Sequence, residues 1–141
     1  IHSVDSVALL ERIDRLAHDD GRAPRVLLQV DMSGRAGRGG FPADEFAALA
    51  SDHASPLVAA LDSLVAAKPI GLMTIAPLDP GRERPAFARV RALRDRLRQT
   101  SGLELAELSM GMTADAEAAV REGATLVRIG TALFGPRPER P

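Results

Sequence analysis

Two short segments near the carboxyl terminus combine hydroxyls and glycines in a way that suits a phosphate group. Segment 109–113 (Ser-Met-Gly-Met-Thr) places two hydroxyls and a glycine at the start of a predicted helix. Segment 128–131 (Arg-Ile-Gly-Thr) repeats the glycine and hydroxyl and adds a guanidinium. Free backbone N–H groups at such turns attract anions. The two segments therefore predict a phosphate site, with simple helix capping by Ser109 and Thr113 as the alternative.

Arg128 lies inside an apolar strand pattern, between Val127 and Ile129. Because successive strand residues point to opposite faces, its side chain faces either the interior of a closed sheet or a layer of helices. A charge in either place needs a partner. The sequence leaves two partners open, an acidic residue that makes Arg128 structural or a ligand that accepts its hydrogen bonds.

Other motifs that would indicate a specific chemistry do not occur. The sequence contains no Walker A loop, no dinucleotide-binding glycine motif and no nucleophile elbow. His2, His18 and His53 lack the spacing of metal ligands, so each is expected to be a surface or capping residue and no metal is predicted. The glycine- and arginine-rich segment 34–40 resembles an RNA-binding repeat, but it is short and lacks aromatics, which favours a loop.

Composition is typical of one globular domain. The 141 residues are 45% hydrophobic and 26% charged, with a formal net charge of −1, so charge gives no reason to expect nucleic-acid or membrane binding. The absence of cysteine excludes disulfides and thiolate nucleophiles. No apolar stretch approaches the ~20 residues that span a bilayer, and we expect a cytoplasmic protein.

Helical and strand patterns alternate along the chain without hairpin signals. Helices are predicted after the Ser3–Ser6 caps, after Phe41-Pro42, from Pro56, from Pro85 to near Gly102, and from a Thr113 cap to Gly123. Strands are predicted over 26–30, 69–75, 103–108 and 125–129, with the end of another at Ile1 and a turn over 109–112. This alternation indicates a parallel α/β fold, in which chemistry lies just past the carboxyl ends of the strands.

Longer runs around these segments resemble the pyridoxal phosphate homeostasis protein family. The runs 108–115 (LSMGMTAD), 123–125 (GAT) and 127–135 (VRIGTALFG) are similar to the carboxyl-terminal signature of that family. Similar segments occur in the expected order at 1–5, 29–31, 39–41 and 71–75. The resemblance covers essentially the whole chain.

The resemblance implies an α/β fold, a parallel (β/α)8 barrel of the alanine racemase N-terminal domain type. Residues 1–141 would then be a single partial domain, about the carboxyl-terminal half to two-thirds of the barrel. Pyridoxal 5′-phosphate (PLP) is the implied cofactor, held by a carrier or regulator of intracellular PLP with no established catalysis. The expected partners are PLP and PLP-dependent apoenzymes, in a monomer or homodimer that binds neither nucleic acid nor membrane.

The resemblance also assigns the residues around the phosphate. Ser109, Gly130 and Thr131 look like phosphate contacts through hydroxyl and backbone N–H groups. Gly111 looks like the residue that keeps the turn open for them. No catalytic residue is implied.

Two further residues look like contacts of the cofactor ring. Arg128 looks like the group that faces the pyridine nitrogen. Because a guanidinium has no proton-accepting atom, it would leave that nitrogen unprotonated and the ring a weak electron sink. Such a ring suits storage better than demanding carbanion chemistry. Met73 is expected to form a wall of the pocket.

The chain departs from the family pattern in two places. The family's Schiff-base lysine on an early strand has no counterpart here, and neither has the motif of glutamine, asparagine and lysine that follows it, so the amino-terminal strands are expected to be absent. The only lysine, Lys68, precedes Pro69 at the amino end of a predicted strand and is not given the Schiff-base role. The loop from Asp31 to Arg38 carries aspartate and arginine where the family more often has asparagine and lysine.

Two other functions stay open at this stage. The first is a PLP-dependent amino-acid racemase, although the sequence has no tyrosine to serve as a second proton-transfer base. The second is a phosphate-binding barrel segment that holds no cofactor and acts as an interaction module.

Overall fold

The computed structural model describes residues 1–35, 37–77 and 79–136. One residue of each predicted loop at 33–40 and 77–80 lies outside the described residues, as do residues 137–141 of the expected domain. The elements follow one another in this order: α1 (Val7–Asp19), β1 (Arg25–Asp31), β2 (Phe41–Pro42), α2 (Ala43–Leu49), α3 (Pro56–Ser63), β3 (Lys68–Met73), α4 (Glu83–Ser101), β4 (Glu107–Met112), α5 (Ala116–Arg121), β5 (Leu126–Arg128) and α6 (Thr131–Phe134).

The strands form a parallel sheet in the order β2-β1-β3-β4-β5. Residues 1–4 run along β1, where Val4 pairs with Leu28 and the Leu27 N–H donates to the Ile1 carbonyl at 2.8 Å. Since β1 uses its other edge to pair with β3, this segment lies on the side of β1 away from β3. The predicted parallel α/β architecture is confirmed. Where the sequence predicts the end of another strand at Ile1, segment 1–4 is extended but forms only a single bridge to β1, at Val4.

One face of the sheet is covered by helices and forms the hydrophobic core. Alternate strand residues on this face pack with buried side chains of the helices: Val26, Leu28, Val30, Leu72, Leu108 and Met110 against Leu10, Phe46, Leu57, Phe87, Val90 and Leu97. Removal of this apolar surface from water is the main stabilising contribution to such a layer. We call the opposite face of the sheet the inner face.

β4 lies further along the chain than the sequence predicts. The prediction was Leu103–Leu108, whereas the strand spans Glu107–Met112. The stretch before it is irregular, because Leu105 has a φ of 39° and the Arg94 guanidinium donates to the carbonyls of Leu105 and Ala106. Ser109 therefore lies inside a strand rather than in the predicted turn.

The helix after β4 also begins later than predicted. Its N-cap is Asp115 rather than Thr113, and the Asp115 carboxylate accepts a hydrogen bond from the Met112 N–H at 2.5 Å. This bond closes the turn between β4 and α5, which leaves the Thr113 hydroxyl free of the capping role. Gly123 follows the helix with a φ of 91°, as its predicted C′ position requires.

Lys68 is the first residue of β3 and pairs in register with Arg25. It therefore lies at the amino edge of the sheet, as predicted. Within residues 1–35, 37–77 and 79–136, no helix is long and apolar enough to cross a membrane. The same residues contain no group of three or more His, Asp or Glu side chains that could hold a metal ion.

Candidate functional site

Gln29, Met73 and Ser109 form a row across the inner face of the sheet. Gln29 pairs in register with Met73, and Met73 pairs with Ser109. Their strand neighbours belong to the helix-covered core, so these three side chains point to the inner face. Met73 and Ser109 are both buried. The structure thus brings two of the sequence-predicted site residues side by side.

Arg128 reaches this row from β5. Its Nη1 donates to the Ser109 carbonyl at 2.9 Å and to the Ser109 hydroxyl at 2.8 Å, and its Nη2 donates to the Thr74 carbonyl at 2.8 Å. Three bonds in different directions fix the plane of the guanidinium between β3 and β4. Of the two partners that the sequence left open, the acidic one is not found, because no carboxylate in the described part of the chain forms an ion pair with Arg128.

The guanidinium is a partly buried cation with spare donors. Burial lowers the pKa of Arg128, and the carboxylate of Asp115 acts in the opposite direction. A guanidinium stays protonated at neutral pH even so. Among the described residues, partners are found for three of its five N–H donors. The remaining donors favour a ligand that accepts hydrogen bonds.

The turns after β4 and β5 lie together at the carboxyl edge. Met112 pairs in register with Arg128, and the Thr113 hydroxyl accepts a hydrogen bond from the Ala132 N–H at 3.4 Å. In the described part of the chain, no protein group accepts a hydrogen bond from the Thr131 N–H. A hydroxyl and backbone N–H groups therefore meet at adjacent strand ends.

The structure gives Ser109 different neighbours from those predicted. Ser109 pairs with Leu126, five residues before Thr131, and its hydroxyl bonds Arg128 inside the sheet. The hydroxyl that contacts the turn around Gly130 belongs instead to Thr113. Direct contact of Ser109, Gly130 and Thr131 with a phosphate stays a prediction.

Gly111 has a packing reason to be glycine. Its φ is 93°, and a Cβ at this position would lie 2.5 Å from the Ala119 Cβ on α5. A side chain would therefore push α5 away from β4 and open the turn between them. The predicted role of Gly111 beside a phosphate stays a prediction.

His2 is the site residue that the sequence analysis missed. Its Nδ1 lies 2.9 Å from the Ser109 hydroxyl, so this partly buried histidine is neither a surface nor a capping residue. Segment 1–4 is separated from β4 by β1 and β3, a distance of about 14 Å along a flat sheet with ~4.8 Å spacing. A histidine and a serine side chain cannot bridge that distance, so the sheet must curve and the inner face is concave.

The electrostatics of His2 follow from this position. Burial lowers the pKa of His2 most, and the Arg128 guanidinium lowers it further. The neutral imidazole is therefore favoured. The only sequence signal was its place in the family-like segment 1–5, and spacing alone could not connect it to a residue 107 positions later.

Comparisons with known proteins agree with this architecture. Residues 1–138 match the family model described as alanine racemase, N-terminal domain. The chain belongs to the alanine racemase N-terminal domain family. Its fold is thus the parallel α/β barrel fold expected from the sequence, of which the described strands form a part.

Curated relatives in this family include pyridoxal phosphate homeostasis proteins. The one from Synechocystis sp. is 38% identical over 139 residues, covering 97% of this chain and 60% of the relative. The one from Pseudomonas aeruginosa is 42% identical over 142 residues, covering 97% of this chain and 55% of the relative. The resemblance to homeostasis proteins is confirmed, and the chain spans little more than half of their length.

Solved structures in the family include one with the cofactor. PipY of Synechococcus elongatus with PLP bound is 40% identical, with a TM-score of 0.81 over 96% of this chain and 60% of that chain. Its structure without PLP gives a TM-score of 0.83. D-threo-3-hydroxyaspartate dehydratase from Delftia sp. is 28% identical, with a TM-score of 0.66 over 93% of this chain and 35% of that chain. Both pyridoxal phosphate homeostasis proteins and a dehydratase are therefore similar to this chain.

Proposed function

We propose that this chain forms the phosphate and ring-nitrogen side of a PLP site, in a protein that carries or buffers PLP inside the cell. The observation that carries the proposal is the Arg128 guanidinium, fixed by three hydrogen bonds on the concave face with donors to spare. The names of the relatives and the PLP-bound PipY structure support the same cofactor.

The donor groups at the carboxyl edge fit what PLP presents. PLP combines a phosphate, a ring nitrogen that accepts hydrogen bonds, and an aldehyde that supplies its electrophilic chemistry. Arg128 would donate to the ring nitrogen. The Thr113 hydroxyl and the N–H groups of Gly130 and Thr131 would hold the phosphate, and Met73 would line the ring.

Ser109 has a separate role in this proposal. Its hydroxyl and its carbonyl both accept hydrogen bonds from Arg128, which ties the guanidinium to β4. We propose that Ser109 acts on the cofactor through Arg128. This role does not require the Ser109 hydroxyl to contact the phosphate itself.

We propose that the site binds PLP without turnover. A guanidinium cannot protonate the ring nitrogen appreciably or accept its proton, so the ring stays a weak electron sink. The chain has no tyrosine that could act as a second proton-transfer base. PLP-dependent apoenzymes would then be recipients of the cofactor rather than competitors for a substrate.

We place the lysine that binds PLP covalently outside residues 1–141, together with the remaining strands of the barrel. Lys68 begins β3 at the amino edge, and five further strand residues at ~3.3 Å each separate it from the carboxyl edge. Its side chain is too short to close that gap. PLP mixed with residues 1–141 and reduced with borohydride should therefore leave Lys68 unmodified, as mass spectrometry would show.

Titration of the full-length protein with PLP, followed by absorbance, tests the binding proposal. We expect saturable binding to which pyridoxal without its phosphate competes poorly. Thr131→Ala keeps the backbone N–H but removes the hydroxyl that the resemblance also assigns to the phosphate, and should weaken PLP binding by about 1.5–3 kcal/mol, the scale of a hydrogen bond to a charged group. Thr100→Ala on the outer helix α4 is the matched control and should bind normally.

An alanine racemisation assay on the same preparation tests the absence of turnover. We expect no racemisation above that of free PLP. Protein-dependent racemisation would replace the carrier function with a racemase. An absorbance titration that does not saturate would contradict PLP binding and would favour a phosphate-binding interaction module.

A further inference from the structure

Arg128, Ser109 and His2 form a continuous chain of hydrogen bonds across the inner face. The Arg128 Nη1 lies 2.8 Å from the Ser109 hydroxyl, which lies 2.9 Å from the His2 Nδ1. A guanidinium has only donors, so the serine oxygen must accept from Arg128. The single hydroxyl proton is then available to His2. A serine oxygen has two lone pairs, but among the described residues His2 Nδ1 is the only acceptor found for the buried hydroxyl proton. We therefore take Nδ1 as the acceptor and place the proton of the neutral imidazole on Nε2.

The backbone holds His2 in place to accept this proton. Segment 1–4 is tied to β1 by backbone hydrogen bonds, which include Leu27 N–H to the Ile1 carbonyl at 2.8 Å, Val4 N–H to the Leu27 carbonyl at 3.3 Å, and Gln29 N–H to the Val4 carbonyl at 2.7 Å. The ring is thus aimed across the concave face by an extended segment whose backbone is bonded to β1 on both sides of His2.

We propose that His2 is a positioning residue for the bound cofactor, which turns a lone pair of the Ser109 hydroxyl toward Arg128 and so orients the guanidinium that faces the ring nitrogen. This inference rests on the proposed function, because the orientation of Arg128 matters to PLP only if the two are in contact. It adds a residue from segment 1–4 to a site otherwise built from β3, β4, β5 and the turns that follow β4 and β5.

The expected effect is partial, because two of the three bonds to Arg128 do not depend on His2. The carbonyls of Ser109 and Thr74 are fixed by the sheet, where the Thr74 N–H donates to the Ser109 carbonyl at 3.1 Å. Without His2 the serine hydroxyl can rotate, and its lone pair is no longer directed at Nη1. We therefore expect a threefold to tenfold loss of PLP affinity rather than loss of binding.

Three histidine variants of the full-length protein test the proposal by PLP titration. His2→Leu removes the acceptor and should weaken PLP binding threefold to tenfold and shift the absorption maximum of the bound cofactor. His2→Asn keeps an acceptor oxygen near the Nδ1 position and should bind within twofold of the wild type. His53→Leu alters an exposed histidine and is the matched control. Thermal unfolding of each variant separates binding losses from unfolding.

The tautomer of His2 gives a second readout that needs no PLP. Nitrogen-15 NMR of the full-length protein should show an unprotonated Nδ1 and a protonated Nε2. A proton on Nδ1 would overturn the inference, as would equal losses in His2→Leu and His2→Asn or wild-type affinity in both. If the wild type binds no PLP, the proposed function fails, and the tautomer still decides the direction of the hydrogen-bond chain.

Discussion

Asp14 and Arg128 are charged groups at opposite ends of the sheet, and the backbone satisfies them in opposite ways. Asp14, on α1, is buried, and its carboxylate accepts hydrogen bonds at 2.7–3.2 Å from the backbone N–H groups of residues 65–67, which lie just before β3. Arg128 is partly buried and donates to the carbonyls of Ser109 and Thr74 at the carboxyl edge. In both cases backbone groups take the place of water as hydrogen-bond partners of the charged side chain.

The two groups differ in how much of their hydrogen-bonding capacity is used. Both oxygens of Asp14 accept backbone bonds, so this carboxylate holds the loop before β3 and has little left for a ligand. Arg128 keeps N–H donors for which the described residues provide no partner. The comparison supports the proposal that the cofactor binds at the carboxyl end of the sheet, while Asp14 at the amino end stabilises the fold, the division of roles that parallel α/β barrels show.

The largest expected effect is on stability at the amino end. Asp14→Ala leaves three backbone N–H groups without a charged acceptor, and should lower the free energy of unfolding by about 2–4 kcal/mol. PLP affinity of the folded protein should not change. Denaturant unfolding measures the first and absorbance titration the second. Asp19→Ala, at the exposed end of α1, is the control. An equal loss of unfolding free energy in this variant would contradict the stabilising role of Asp14.

The next effect is on binding at the carboxyl end. Arg128→Met should weaken PLP binding by about 1.5–3 kcal/mol, roughly tenfold to a hundredfold, because a charged donor to the ring is lost. Arg128→Lys should not restore it, since an ammonium cannot make the same fork of bonds. Arg121→Met alters an exposed arginine of α5 and should bind normally. Full affinity in Arg128→Met would exclude Arg128 from the site.

A smaller effect is expected at the turn after β4. Thr113→Val removes the hydroxyl that bonds the Ala132 N–H and should weaken PLP binding by about 1 kcal/mol. Pyridoxal, which lacks the phosphate, should bind the variant and the wild type equally. A loss that is the same for both ligands would assign Thr113 to folding instead of phosphate binding.

The smallest effect is a pH dependence of stability from Glu122. Hydrogen bonding to Arg84 lowers the pKa of Glu122, burial opposes this, and Arg91 lowers the pKa further. As pH falls, Glu122 therefore binds a proton in the unfolded state before it does so in the folded state. The stability that ionised Glu122 contributes is complete above the ordinary glutamate pKa of about 4.3, and it is lost as pH falls through the lower pKa of the folded state. Glu122→Gln should flatten this part of an acid-unfolding curve, and an unchanged curve would contradict the ion pairs.

The fold could be predicted because its signals are local. Apolar runs such as 26–30 and helix caps such as Ser6 depend on neighbouring residues, and the structure confirms them. The position of β4 could not be predicted, because it depends on the positive φ of Leu105 and on Arg94, which reaches from the preceding helix. The periodicity of the sequence reflects neither this backbone angle nor the contact of Arg94.

The same distinction applies to the candidate site. Arg128 and the Gly130-Thr131 turn were recognisable because a charge in an apolar strand and a glycine at its end are local patterns. The contact between His2 and Ser109 joins residues 107 positions apart, across a curved sheet. Only the curvature brings them together, so spacing along the sequence gave no indication of it.

A crystal structure of the full-length protein with PLP would show whether Arg128 contacts the pyridine nitrogen. We expect the pyridine nitrogen at about 3 Å from an N–H nitrogen of Arg128, with the phosphate at hydrogen-bond distance from the Thr131 N–H and the Thr113 hydroxyl. PLP bound at the amino edge beside Lys68, or at the carboxyl edge without contact to Arg128, would contradict it.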